Sequence, residues 1–269
     1  VVMEKVLRAL VEHLIKSGVH GLTPLGSTGE FAYLTWPQRK RIVEIVIDAS
    51  AGRVPVVAGV AHTSIREAAR QAREMEKLGV DGILAVMDAY FPISAKGVVW
   101  YFREVAEAVS CPVVLYTNPA FSATNLSLEV MDELIKVPNI LYLKDASVNT
   151  GNLLTMITKL GDRIKFFSAS AHIPLFVMML GGVGWMAGPA CVIPRESVEL
   201  YELARARRWD EALGLQKRLW SINGIFQKYA LAACIKKCLE LQGFAVGNPI
   251  PPQQHLSDEQ VKEVEEVLR

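Results

Sequence analysis

Cysteine is scarce in this chain, and its placing excludes more than its number does. Cys111, Cys191, Cys234 and Cys238 form no CxxC pair and share no ligand spacing with the five histidines, so neither a redox motif nor a metal cluster is expected. Cys234 and Cys238 share a helix face and read as core packing. A reducing cytoplasm fits this usage. Charge of either sign is not in excess: 29 basic against 28 acidic residues give a net charge of +1, which leaves no electrostatic case for nucleic acid or an anionic membrane surface. The first ten residues hold no apolar run of signal-peptide length. Residues 173–193 carry no charge and are long enough to span a bilayer, but Pro174, Gly181, Gly182, Gly184, Gly188 and Pro189 interrupt them. They are expected as a short helix (Leu175 to Leu180), a turn and a strand of core. Nothing matches the dinucleotide fingerprint GxGxxG after a first strand.

What is present is an ordinary globular chain of 269 residues, 51% hydrophobic, enough for one large core. Apolar residues at Val6, Leu7, Leu10, Leu14 and Ile15 recur at helical spacing and Gly18 follows as a stop. A strand is expected at Val19 to Leu25, then a helix opening at Thr35 with Pro37 in its first turn. The alternation repeats: a strand at Val54 to Val60, and a helix starting at Ser64, where Glu67 three residues on predicts a capping box. Buried strands follow at 82–87, 112–117, 140–144, 165–168 and 183–187, each trailed by a helical segment. Such alternation means a parallel sheet covered on both faces, and the absence of any reversal favours a closed (β/α)8 TIM barrel over an open doubly wound sheet. About seven strands are countable, so the first barrel strand is expected to precede Met3. From Arg208 on the pattern is helical only: Trp209 to Ile222, Tyr229 to Leu241 and Asp258 to Leu268. The domains expected are a barrel over 1–208 and a C-terminal three-helix region over 209–269.

One lysine stands at the end of an otherwise apolar strand, in Asn139-Ile-Leu-Tyr-Leu-Lys144-Asp-Ala-Ser147. Period-2 alternation places Ile140, Tyr142 and Lys144 on one face. If that face lines a barrel, the amine is desolvated, its pKa falls, and a partly neutral amine can attack a carbonyl carbon to form a Schiff base. A solvated turn lysine is the plain alternative. Three other stretches bring polar groups to the carboxyl ends of strands. Gly26-Ser27-Thr28-Gly29-Glu30 offers hydroxyls and free amides suited to a carboxylate, or is simply a tight turn. Tyr116 shares a face with Val114 on the strand before that of Lys144, where a phenol could shuttle protons or merely pack. Asp88-Ala-Tyr90-Phe91-Pro92 is an aromatic loop fit for core, interface or lid.

Taken in order, GSTGE, YTNP at 116 to 119 and YLKDAS at 142 to 147, with GGVGWMAG at 181 to 188, resemble the dihydrodipicolinate synthase and N-acetylneuraminate lyase family over nearly the whole chain. The resemblance implies a (β/α) barrel with a C-terminal helical region and a lysine imine with pyruvate or another 2-oxo acid, with no other cofactor. A homotetramer or homodimer is implied too. On it, Lys144 matches the Schiff-base lysine and Tyr116 the proton-relaying tyrosine. Ser27 matches the hydroxyl linking that tyrosine to a second one, and Thr28, with the amides from Gly26 on, the holder of the substrate carboxylate. Tyr90 falls where the family contributes a tyrosine across a subunit interface, although Asp88-Ala89 departs from the usual aromatic pair.

Two departures bear on substrate. Family synthases carry an arginine five positions after the YNVP tyrosine to grip the carboxylate of the aldehyde; here that place is Phe121, and a benzene ring cannot replace a bidentate guanidinium. The run Ser168 to His172 has no carboxylate to hold a polyol, and Trp185, Met186 and Ala187 make the next rim apolar. Phe121 and Met186 are therefore expected to line a pocket for a smaller or more hydrophobic aldehyde. A dehydratase or hydratase-aldolase using the same imine is the nearest alternative. A barrel that binds a 2-oxo acid without turnover is an alternative of another class, and a phosphate-handling barrel lacks a basic residue in the glycine-rich loop.

Overall fold

The computed structural model describes residues 1–119, 126–169 and 173–268. In chain order its main elements are α1 (Glu4–Lys16), α2 (Trp36–Ser50), β1 (Val57–His62), α3 (Ile65–Leu78), β2 (Gly82–Met87), α4 (Ala95–Glu107), β3 (Val113–Thr117), α5 (Leu128–Leu134), β4 (Ile140–Asp145), α6 (Thr150–Leu160), β5 (Lys165–Ser168), α7 (Pro174–Met179), β6 (Gly184–Trp185), α8 (Pro194–Arg205), α9 (Trp209–Lys228), α10 (Leu231–Leu241) and α11 (Asp258–Leu268). They group into two compact units, one of residues 55–186 and one of 1–54 with 187–269.

The unit of residues 55–186 is a parallel sheet in the order β1 to β6, each strand paired with its neighbour in sequence. Parallel neighbours need a crossover, and the helices α3 to α7 supply it. Because strand order follows chain order, there is no switch point of the doubly wound kind. The strands are apolar on both faces, as Ile83, Leu84, Val113, Val114, Leu115 and Leu143 are all nearly inaccessible. Ser64 does begin α3, but its side chain accepts no capping bond and the expected capping box is not formed. Glu67 turns instead to Arg70, with contacts of 2.8 and 2.6 Å, and this partner holds its carboxyl down at about 2. A bidentate guanidinium outcompetes a neutral backbone N–H for the same carboxylate.

In the other unit α1 packs on α2, and α9, α10 and α11 pack together. Thr35 begins α2 in a capping box with Gln38. The strand expected at residues 19–25 is not formed as such: among them only Leu22 makes a β-bridge. Pro24 has no N–H to give a ladder, and Leu25 turns left-handed at φ 63°, so the extended run ends early. Helix α9 runs six residues beyond the expected Ile222. Burial of Ile225 and Phe226 outweighs the cost of about 1 kcal/mol for Gly224 inside the helix. Ile222, Phe226, Cys234, Ile235, Cys238 and Val264 form one apolar core. Burial raises the thiols of Cys234 and Cys238 to about 11 and about 12, so both are neutral packing groups near pH 7.

Glu30 is the polar centre of this unit. It is 4% exposed, yet its carboxylate meets Lys236 Nζ of α10 at 2.5 Å and accepts from Ile250 N at 2.6 Å and Gln253 Nε2 at 2.8 Å. Lys236 also donates to Asn248 O. A buried ion pair of this kind costs desolvation of both partners, so breaking it from one side is worse than replacing both. Lys236→Met is expected to lower stability by about 3 kcal/mol, read as a drop in urea midpoint, and the double variant E30Q/K236M to recover part of that loss. Equal stability of K236M and the parent would show that the pair contributes nothing.

Candidate active site

Lys144 and Tyr116 come from adjacent strands and stand in register with one another. The lysine amine lies over the tyrosine ring, 4.0 Å from its centre, and the side chain is 8% exposed. Burial alone lowers its pKa from the ordinary lysine value to about 8, which leaves about one amine in ten neutral at pH 7. The ring face favours the ammonium form a little; the low pKa says that desolvation wins. The same strand pairing sets Tyr142 opposite Val114. Ile140 does not share their face, contrary to simple alternation. A register shift at Val113/Val114 pairs Ile140 with Val113 and leaves Leu141 as an extra residue, 38% exposed; a bulge of this type resets the alternation by one.

Tyr116 packs with Leu84, Val114, Ala146 and Ala169, and Met186, Tyr142 and Val86 close round them. Met186 is thus brought to the same cluster as the candidate tyrosine, its N–H bound to Ser168 O at 2.9 Å. The sequence pattern alone assigns no role to Asn118. It is buried and its Nδ2 donates to Tyr116 Oη at 3.0 Å. The signal was available in principle, since residues two apart in extended chain share a face, but an Asn before Pro reads first as a turn. Tyr90 is 85% exposed and meets Phe91 edge to face at 4.9 Å; it is not among the side chains packed on Tyr116. Phe121 lies outside the described residues, as do residues 170–172 of the run after β5.

Gly26, Ser27 and Thr28 belong to the other unit. Ser27–Gly29 forms one turn of 3-10 helix, and left-handed residues bracket it, Leu25 at φ 63° and Glu30 at φ 58°. Each such residue costs on the order of 1 to 2 kcal/mol, a strain of the sort found at ligand-holding loops. Thr28 is wedged against Gly188, where an added Cβ would lie 2.5 Å from Thr28 Oγ1 and 2.7 Å from Ile235 Cδ1. Among the described residues no cluster of three or more His, Cys, Asp or Glu could hold a metal ion, and no helix is long and apolar enough to cross a membrane.

The family model described as the dihydrodipicolinate synthetase family matches residues 1–269. A 4-hydroxy-tetrahydrodipicolinate synthase of Methanospirillum hungatei is 30% identical over 263 residues, covering 97% of this chain and 90% of that protein. One of Methanosphaerula palustris is 33% identical with the same coverage. A prophage protein of the dihydrodipicolinic acid synthase family from E. coli K12, solved in complex with pyruvate, superposes with a TM-score of 0.93 at 28% identity, covering 98% of this chain and 91% of that one. The fold is that of a (β/α) TIM barrel with C-terminal helices. The chain belongs to the dihydrodipicolinate synthetase family, and it is an enzyme of the lyase class.

The depressed lysine pKa has a sign that can be tested. Below pH 8 the amine is charged in both folded and unfolded chains and its burial costs the fold in full. Between pH 8 and 10.5 only the unfolded chain holds the proton, so stability rises with pH and the cost is relieved. Lys144→Met is expected to gain roughly 3 kcal/mol at pH 7, the gain over the parent shrinking as pH rises from 8 to 10.5. Denaturation midpoints of the two proteins across this range check it; a constant difference would refute the low pKa.

Proposed function

We propose that the chain makes or cleaves a carbon–carbon bond beside pyruvate or another 2-oxo acid through a Schiff base on Lys144. The single observation that carries this reading is the buried amine with a pKa of about 8 lying on the face of Tyr116. The neutral amine adds to the C2 carbonyl, the carbinolamine loses water, and the protonated imine draws electrons from C3 to give an enamine. The enamine then attacks an aldehyde, and hydrolysis returns the amine. Run backward, the same steps cleave the bond. No resident cofactor is needed, because the iminium is the electron sink. Tyr116 moves the protons that formation and loss of the carbinolamine require. The pyruvate complex of the E. coli relative supports the choice of 2-oxo acid.

The remaining assignments rest on the family resemblance: Ser27 in the proton relay, Thr28 and the amides from Gly26 on for the carboxylate, and Tyr90 supplied by a second copy. The exposure of Tyr90, Phe91 and Ile93 on one loop suits such a contact, in a homotetramer or homodimer. For the second substrate, the named relatives are 4-hydroxy-tetrahydrodipicolinate synthases, whereas Phe121 and Met186 favour an aldehyde that brings no carboxylate. Our reading is the apolar aldehyde.

Incubation with pyruvate and borohydride is expected to add one reduced pyruvyl group to Lys144, found by peptide mass spectrometry, and Lys144→Ala to abolish it. An adduct that persists in K144A, or none with any 2-oxo acid, would sink the assignment. Tyr116→Phe is expected to keep the adduct at saturation and slow its formation by about 100-fold or more. Product analysis with benzaldehyde against an aldehyde carrying a carboxylate separates the two substrate classes: preference for the second would overturn the apolar-pocket argument.

A further inference from the structure

Proton transfer at Tyr116 needs a hydroxyl that is both aimed and acidic enough, and the phenol ring by itself supplies neither. Apolar side chains pack on it, Leu84, Val114, Ala146 and Ala169 among them, and the side chain is 7% exposed. A phenolate formed there would be poorly solvated. Asn118, two residues along the chain, supplies a polar contact to that oxygen. Asn118, 9% exposed, leaves the end of β3 with its side chain turned back so that Nδ2 donates to Tyr116 Oη at 3.0 Å. The family pattern YNVP has an apolar valine at this place, and here the run is Tyr116-Thr-Asn118-Pro.

We propose that Asn118 is a positioning residue that directs the Tyr116 hydroxyl and stabilises its phenolate during imine and enamine formation. The inference rests on the imine reading above. The amide N–H occupies one lone pair of Oη, so the hydroxyl proton must point away from Asn118. When that proton leaves, the same contact becomes a charge-assisted hydrogen bond and strengthens, which lowers the cost of the ionised state where it matters. The step balances as follows. The carbinolamine C–O bond breaks as the nitrogen lone pair forms C=N, and the phenol proton departs in the water released. The phenolate then takes one proton from C3, whose electron pair becomes the enamine double bond. Asn118 gains and loses no proton; it acts only through Tyr116.

Two variants test this, N118V, which restores the apolar residue of the family pattern, and N118D, which keeps the side-chain size while setting a carboxylate against the phenol oxygen. The readouts are deuterium uptake into the pyruvate methyl group in D2O, followed by NMR, and the titration of Tyr116 in protein labelled with 13C at the tyrosine ring carbon bearing oxygen. The Tyr116 signal is assigned by its loss in Y116F. In N118V the methyl exchange is expected to fall by about 10- to 100-fold, the range for one hydrogen bond to a charged group. The Tyr116 midpoint should rise by about one pH unit, and N118D should move it further in the same direction. Borohydride trapping at Lys144 should reach the same extent at saturating pyruvate in every variant. Unchanged exchange and an unchanged midpoint in N118V would overturn the role of Asn118 while leaving the imine intact. If N118V does not fold by circular dichroism, N118D decides: a midpoint equal to that of the parent overturns the proposal. No trapped adduct in the parent protein would instead overturn the imine reading beneath it.

Discussion

An ammonium group taken out of water with no carboxylate beside it is the constraint on which the candidate site depends. Among the described residues the burial of Lys144 has no ionic compensation, and burial is the sole cause of its lowered pKa. Its nearest described support is the face of an aromatic ring, which stabilises a cation by far less than an ion pair in the same place would. Had Asp145 faced the same way, the amine would be a fixed cation and a poor nucleophile. The strand prevents this: Asp145 points to the opposite face and accepts from Ser147 N at 2.7 Å. Alternation of side chains thus separates an acid and a base that are adjacent in sequence.

The register of β3 and β4 is what turns that lysine into part of a site. A slip of one residue would move Tyr116 to the outer face and replace it with Leu115 or Thr117. The ladder takes up the extra residue Leu141 between Val113 and Val114, and beyond it the pairing runs regularly from Val114–Tyr142 to Thr117–Asp145. Ala146 and Ala169 pack with Tyr116. In the other unit an equivalent economy holds the loop from Gly26 to Glu30. Its left-handed ends are strained, and the buried Glu30–Lys236 pair, with two further donors on one carboxylate oxygen, fixes the loop against α10 and residues 248–253.

Much of this was legible beforehand, and for identifiable reasons. Strands at 82–87 and 165–168 and the helix at 258–268 were placed to the residue; the apolar run of the first stops at Asp88, and Ser257 caps the helix by accepting from Gln260 N. Lys144 and Tyr116 were legible as a pair because both end buried strands that are consecutive in a parallel order. Errors arose where two local rules competed. Glu67 had a choice between a cap and Arg70, the helix expected to end at Ile222 is carried on by the burial of Ile225 and Phe226, and Leu25 had a choice between a strand and a left-handed turn. Asn118 was missed because its sequence context, Asn before Pro, describes a turn and says nothing of where the amide points.

The sequence by itself determined the alternation of strand and helix, the parallel order without reversal, the apolar cores, and the isolation of one lysine on an inward strand face, since these follow from periodicity and side-chain polarity alone. Only the tertiary structure decided the register that lays the amine on the phenol ring, the bulge that moves Ile140 to the other face, the hydrogen bond from Asn118 to Tyr116 Oη, and the partners of Glu30. The physical reason is the same in each case. Burial is a property that one strand can announce, whereas which two groups meet depends on a pairing between segments far apart in the chain.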